Sequence, residues 1–302
     1  MIQATQHIMM VRPKHFGYDP ETAKSNAFQS REGADHIDEI SAQAISEFDL
    51  AVQTLRSKGI AVTVIQDTDE PIKPNAIFPN NWISFHNKGI VLYPMLAENR
   101  RWERRMDIVE YISEKIKKFE QVLDLSEREA NNKFLESTGS IIFDYENDLA
   151  YACLSPRTDE ELFRELCDFL NYHPIVFHAR DANNQLIYHT NVIMCLASKY
   201  AVICLDCIDS NEQEKVKTAL IRSSHEIIKI SLDQVYQFAG NMLEVQGAEG
   251  KSYLVMSQAA FDSLTQDQIA LINQYSEIIA IPISTIEKYG GGSIRCMMCR
   301  IL

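Results

Sequence analysis

Short apolar stretches alternate with polar turns along the chain, and one order of elements recurs about every 50 residues: strand, strand, helix, strand. One unit reads as strands at 187–196 and 200–208, a helix at 210–223 and a strand at 226–230. Before it come strands at 134–145 and 148–154, a helix at 158–171 and a strand at 174–177. Thr158 and Glu161 have the spacing of a capping box at the start of that helix. Earlier still, 76–85 and 89–94 precede a long helix at 101–118 and a strand at 121–125. The unit after residue 230 runs 237–245, 252–257, helix 266–275 and strand 278–281.

The fifth unit is divided between the chain ends. Its first strand is 293–302, its second 6–11, its helix 41–58 and its last strand 60–66. That division predicts pairing of the C-terminal and N-terminal strands. Five units joined this way predict an α/β propeller of ββαβ units with five-fold pseudosymmetry, closed into a ring that leaves no exposed seam. No linker, low-complexity stretch or charge block interrupts the sequence, so 1–302 reads as a single catalytic domain.

Each unit places a polar residue where an apolar first strand begins. The entrances are Phe78-Pro79-Asn80-Asn81-Trp82, Phe134 to Gly139, Tyr188-His189-Thr190-Asn191, Phe238-Ala239-Gly240-Asn241 and Ser293-Ile294-Arg295-Cys296. A ring would bring them together at its axis. The set then assembled is Cys296, His189, Glu136, Asn81, Asn191 and Asn241. It holds a nucleophile, an acid/base, a carboxylate to orient the base, and amides to read a substrate. Gly290-Gly291-Gly292 delivers the chain to Cys296, and the adjacent Arg295 favours a thiolate and could steady an oxyanion.

Composition narrows the classes. A formal net charge of −13 argues against nucleic acid as a partner. No apolar run is long enough to span a bilayer, and the start lacks the basic and apolar regions of a signal peptide, so a cytoplasmic protein is expected. Seven cysteines, mostly within apolar runs, suit reduced core thiols. The pairs Cys204–Cys207 and Cys296–Cys299 fall in runs that read as strands. There, i and i+3 point to opposite faces, which argues against a zinc site. No metal or organic cofactor is expected, and the partner is a small amino-acid molecule. Homo-oligomerisation is compatible with the sequence but not specified by it.

The motifs FPNNW (78–82), LESTGS (135–140), ACLSPRT (152–158), IYHTNV (187–192) and GGGSIRCM (290–297) resemble the pentein, or guanidino-group-modifying, superfamily. Within it they resemble the bacterial citrulline-utilisation hydrolase group, which is related to arginine deiminase. The resemblance spans nearly the whole chain. It implies Cys296 as nucleophile, His189 as general acid/base and Glu136 as its partner. It also implies that Arg157 and Asn75 contact a substrate carboxylate, with Arg100 or Arg101 as a second cation.

The departures carry information too. Deiminases of this superfamily hold aspartates where this chain has Asn81 and Asn191. A carboxylate pair matches a guanidinium, which offers only N–H donors. An amide offers a donor and an acceptor, as a neutral urea requires. The expected substrate is therefore citrulline, cleaved to ornithine, ammonia and carbon dioxide. The alternatives are arginine deiminase, dimethylarginine hydrolase or amidinotransferase chemistry. A ribosome-binding pentein without catalysis fits less well, because cysteine, histidine and glutamate are all present.

Overall fold

The computed structural model describes residues 3–301. Strand β1 (His7–Arg12) pairs parallel with β2 (Ala61–Gln66). Next, β3 (Ile83–His86) pairs antiparallel with β4 (Gly89–Leu92), and β4 pairs parallel with β5 (Val122–Asp124). The same antiparallel-then-parallel pattern joins β6 (Ile141–Asp144), β7 (Leu149–Cys153) and β8 (His173–Phe177). It recurs in β9 (Met194–Leu196), β10 (Tyr200–Ile203) and β11 (Glu226–Lys229), and in β12 (Leu243–Gln246), β13 (Ser252–Ser257) and β14 (Glu277–Ile281). Strand β15 (Cys299–Ile301) pairs antiparallel with β1, His7 opposite Ile301, and completes the first sheet. The result is an α/β fold of five three-stranded sheets, one for each unit read from the sequence.

The parallel pairing in each sheet needs a crossover, and a helix supplies it. These are α1 (Ile37–Ser57), α2 (Met106–Lys115), α3 (Glu160–Leu170), α4 (Gln213–Arg222) and α5 (Gln266–Asn273). Helix α3 shows why they pack. Leu162, Phe163, Leu166, Cys167 and Leu170 fall on one face and are buried, against a polar opposite face. Each large side chain fully buried this way stabilises the fold by about 1.5–3 kcal/mol. Among the described residues no helix is long and apolar enough to cross a membrane.

Three local readings need correction. Helix α3 is capped by Asp159, whose side chain accepts from the Leu162 N–H, so the expected Thr158–Glu161 box does not form. The long helix expected at 101–118 is broken. Glu98–Glu103 is a 3-10 turn, Arg104 and Arg105 are extended, and α2 begins at Met106. Arg100 explains the break: its buried pairing with Glu103 at 2.8 Å fixes the turn before the helix can start.

The first strands also begin later than expected. Pro79–Asn81, Ser137–Ser140, Thr190–Ile193 and Ile294–Met297 are single helical turns rather than strand. Hydrogen bonds between these entrance segments join neighbouring units. Ser137 Oγ donates to the Ile83 carbonyl, and Thr190 Oγ1 donates to the Ser140 carbonyl at 2.5 Å. Asn241 Nδ2 donates to the Asn191 carbonyl, the Arg295 N–H donates to Asn241 Oδ1, and Cys299 Sγ donates to the Ile83 carbonyl.

Candidate active site

The entrance turns surround a polar cleft with about 300 Å³ of empty space. Cys296, His189, Asn81, Asn75 and Arg157 line it, together with Arg100, Tyr188, Phe78, Thr22, Asn26 and the three glycines 290–292. His189 Nε2 lies 2.7 Å from Glu136 Oε2. Glu136 is fully buried behind the ring and also accepts from Arg157 Nη1 at 3.2 Å and from the Leu96 N–H at 3.1 Å. Burial alone would raise the Glu136 carboxyl, but Arg157, His189 and Arg100 outweigh it and hold the group well below the usual carboxylate range.

An ionised Glu136 can only accept, so His189 Nε2 carries the hydrogen and Nδ1 keeps its lone pair. Burial pulls the His189 pKa down to about 4 against the opposing pull of Glu136, so the imidazole is neutral near pH 7. Room for the ring comes from Gly139. A Cβ there would stand 2.8 Å from His189 Nδ1 and Cε1 and 2.4 Å from Asn81 Nδ2.

Cys296 sits on the Ile294–Met297 turn, almost wholly buried. Two amides face its sulfur: Asn241 Nδ2 at 3.3 Å and Asn191 Nδ2 at 3.5 Å. Both asparagines therefore hold the cysteine from below and do not line the cleft. The glycine run is required for fit as well as freedom. Gly291 has φ +62, and a Cβ on Gly290 would meet the Phe78 ring at 2.8 Å. Tyr188 Oη and Asn26 Nδ2 both donate to the Gly291 carbonyl and hold the run in place.

The cations divide differently from expectation. Arg101 lies outside the cleft, bonded to the Met95 carbonyl and paired with Glu129. Arg100 is the residue inside it: Nη1 donates to Asn81 Oδ1 at 2.8 Å while Nε and Nη2 grip Glu103. Arg295 points away from the cysteine. Its Nη1 donates to the Met298 carbonyl, and the side chain lines a separate cavity, so it cannot steady an oxyanion at Sγ. A 3-10 turn sends successive side chains in different directions, which adjacency in sequence conceals.

Arg157 stacks over Tyr188 at 4.9 Å and donates to Ser25 Oγ and the Thr22 carbonyl. Asn75 donates to Asp19 Oδ2 at 2.7 Å. Both contacts come from segment 13–35, where apolar and polar residues follow no helix or strand period. Thr22, Asn26 and Tyr188 had no signal beyond proximity to that segment or to His189.

The cysteine pairs behave unequally. Cys204 caps a 3-10 turn that Cys207 ends, not a strand, and their sulfurs lie 2.7 Å apart, so the opposite-face reading fails for them. All seven cysteines are free and buried. Three groups that could hold a cation, His178, Asp209 and Glu212, cluster away from the cleft, where Arg180 and Lys215 already pair with the two acids.

The fold is shared with solved structures. ArgZ, an arginine dihydrolase from the ornithine–ammonia cycle in Cyanobacteria, superposes with a TM-score of 0.77 at 16% identity, over 98% of this chain and 41% of ArgZ. The chain thus spans about two fifths of the ArgZ chain. The N-terminal domain of ArgZ alone, as a cysteine-to-serine variant bound to substrate, gives 0.76 at 17% identity over 98% of this chain and 97% of that one. A histidine-to-glycine variant of dimethylarginine dimethylaminohydrolase, an adduct with S-methyl-L-thiocitrulline, gives 0.67 at 16% identity over 99% and 100%. No curated protein sequence matches the chain significantly. The sequence model of one family, described as N,N dimethylarginine dimethylhydrolase, eukaryotic, matches residues 12–302, and the chain therefore belongs to that family, within the pentein (amidinotransferase) superfamily of C–N hydrolases.

Proposed function

We propose that the chain hydrolyses the ureido C–N bond of citrulline, giving ornithine, ammonia and carbon dioxide through a thiocarbamoyl intermediate on Cys296. The observation that carries this reading is the orientation of Asn81. A guanidinium only donates, so the Arg100 contact fixes Oδ1 as the end facing Arg100. Nδ2 is left buried, without a hydrogen-bond partner among the described residues, on a side chain that lines the cleft. A donor held there suits a urea carbonyl. Against a guanidinium, donor would face donor, and a buried unsatisfied donor costs about 1–3 kcal/mol.

The residues divide the chemistry as follows. His189 Nδ1 takes the Cys296 proton as sulfur attacks the ureido carbon. Negative charge grows on the former carbonyl oxygen, where Asn81 Nδ2 can donate to it. The C–N bond to the δ-nitrogen of ornithine breaks, and His189 returns the proton to that nitrogen. Water, activated by the same Nδ1, attacks the thiocarbamoyl carbon and restores the thiol. The carbamate released falls apart to ammonia and carbon dioxide, so one water is consumed overall. In this reading Arg157 and Asn75, which line the cleft, take the substrate carboxylate, with Arg100 as a second cation.

A guanidino substrate is the second reading. It is favoured by the names of the family and the solved relatives. One assay panel separates the two: citrulline, arginine, dimethylarginine and agmatine, with ornithine, citrulline and ammonia measured. Ornithine from citrulline alone supports the proposal. Citrulline accumulating from arginine or dimethylarginine overturns it.

We also read the five units as a closed propeller and a single catalytic domain. The support is that the hydrogen bonds between entrance segments lead from unit to unit and return to the first. Fragment complementation checks this: a chain cut within 247–250, on the loop between β12 and β13, should still assemble if the ring is held on both sides.

A further inference from the structure

The pair Cys204–Cys207 takes no part in the chemistry proposed above, yet its geometry is specific. Cys204 follows β10 and caps the 3-10 turn Leu205–Cys207, which leads towards α4. An i, i+3 pair across a tight turn has Cα atoms less than about 7 Å apart, within the span a disulfide requires. The two sulfurs are in contact at 2.7 Å, and both cysteines are free thiols. The chain's other CxxC pair is not arranged this way: Cys299 Sγ donates to the Ile83 carbonyl, while Cys296 Sγ faces Asn241 and Asn191. A metal would need further ligands beside the two sulfurs. Among the described residues no third His, Cys, Asp or Glu joins them. Two adjoining thiols without a third ligand fit a dithiol–disulfide couple.

The turn is tied to both arms of the segment that carries His189. The Cys204 N–H donates to the Ile193 carbonyl at 3.0 Å, and Ile193 ends the Thr190–Ile193 turn that directly follows His189. On the other arm, the Arg180 N–H donates to the Cys207 carbonyl at 2.7 Å, and Ala179 bridges Ile208. The Ile187 N–H then donates to the Ala179 carbonyl at 2.9 Å, just ahead of Tyr188 and His189. Cys204 is fully buried and Cys207 is 5% exposed, so close-packed neighbours surround the pair. A displacement of the turn on closing an S–S bond therefore passes to these hydrogen-bonded segments.

We propose that Cys204 and Cys207 form a reversible redox switch: a small-molecule disulfide oxidises the pair to an intramolecular disulfide, and the altered turn draws His189 out of its working position and lowers turnover. One cysteine sulfur, as thiolate, attacks a sulfur of the incoming disulfide, breaks its S–S bond and releases one thiolate. The other cysteine sulfur attacks the first in this mixed disulfide, forms the Cys204–Cys207 bond and releases the second thiolate. Two electrons pass from the pair to the small disulfide, and the pair's two protons end on the released thiols. Formation of the bond is independent of the proposed function; the effect on turnover rests on His189 acting as assigned there.

The test uses the full chain, equilibrated in mixtures of oxidised and reduced glutathione, quenched, alkylated and digested with trypsin. Cleavage after Lys199 and Lys215 gives one peptide, 200–215, that holds Cys204, Cys207 and no other cysteine. As the oxidised share of glutathione rises, the doubly alkylated peptide should give way to one that takes no alkyl group and is lighter by two hydrogens. Reduction should restore the first form. Turnover in the citrulline and arginine assays should fall in proportion to the disulfide fraction, while peptide 296–300, which holds Cys296, stays unmodified. Cys204→Ala and Cys207→Ala should keep their turnover across the whole series; two variants guard against one failing to fold. A peptide 200–215 that stays doubly alkylated, or that gains only glutathione, overturns the proposal. So does unchanged turnover of the disulfide form, or a loss shared by both variants. The mass readout needs no substrate, so failure of the proposed function is told apart from failure of the disulfide.

Discussion

Arg100 Nη1 lies 2.8 Å from Asn81 Oδ1, and this contact turns the NH2 end of the amide towards the cleft. Asn81→Asp removes the donor while keeping the shape and the Arg100 partner. Citrulline turnover should fall about 10²–10³-fold in kcat/KM, the usual effect of deleting one donor to a developing oxyanion. Affinity for arginine should rise, because the new carboxylate accepts from a guanidinium. Steady-state kinetics on both substrates checks this. Citrulline activity within threefold of the parent would remove the reading of Asn81 as the urea donor.

The Glu136 carboxylate keeps the hydrogen of His189 on Nε2. In Glu136→Gln the amide can present its NH2 group instead, which shifts the hydrogen to Nδ1 and removes the base that the proposed mechanism assigns to the thiol. We expect kcat to drop about 10²–10⁴-fold, with KM little changed. Arg157 retains Ser25 and the Thr22 carbonyl, so the variant should still fold. Thermal unfolding alongside kinetics distinguishes a tautomer effect from collapse of the site.

The order of elements was legible because hydrophobic alternation and helix periodicity survive in each unit. Even the split unit, β15 with β1, followed from counting elements. The cleft residues Cys296, His189 and Asn81 were legible because a repeat places them equivalently, whereas Asn75 and Arg157 came only from the family resemblance. Arg100 against Arg101, and the direction of Arg295, were not. Both questions turn on which way a residue faces in a short 3-10 turn, where no periodicity reports orientation. Asp159 displaced Thr158 as a cap for a related reason: two adjacent good caps differ only in backbone geometry. The contacts from segment 13–35 lay beyond sequence patterning, since they come from an aperiodic loop.

Gly139 lies where the Asn81 amide and the His189 ring converge. Gly139→Ala would place a methyl 2.4 Å from one and 2.8 Å from the other, so at least one must shift by several tenths of an ångström. The backbone at this glycine needs no left-handed conformation, so folding should be affected less than activity. The expected result is a loss of at least about tenfold in kcat with a Tm change of a few degrees, the size of shift that about 1 kcal/mol produces in a chain of this class. Unchanged kcat would mean that the ring and amide positions are not critical to the chemistry.

Glu287 ties the helix before the glycine run to the cysteine turn, accepting from Ser293 Oγ at 2.6 Å. Burial pushes its carboxyl up to about 7; hydrogen bonds from Ser293 and Ser257 oppose the shift and nearby Glu47 adds to it. Its ordinary value is 4.5. Below pH 4.5 both folded and unfolded chains hold this proton, and its contribution to stability is fully present. As pH rises from 4.5 to 7 the unfolded chain releases the proton while the folded chain keeps it, so stability is lost, by up to about 3 kcal/mol. Above pH 7 both states are ionised and the loss is complete. Glu287→Gln keeps an acceptor for the Ser293 hydroxyl and never ionises. Its Tm should match the parent at pH 5 and exceed it by several degrees at pH 8. Other titrating groups cancel in that difference, because they are the same in both proteins. An equal Tm difference at the two pH values would mean that Glu287 does not hold its proton into the neutral range.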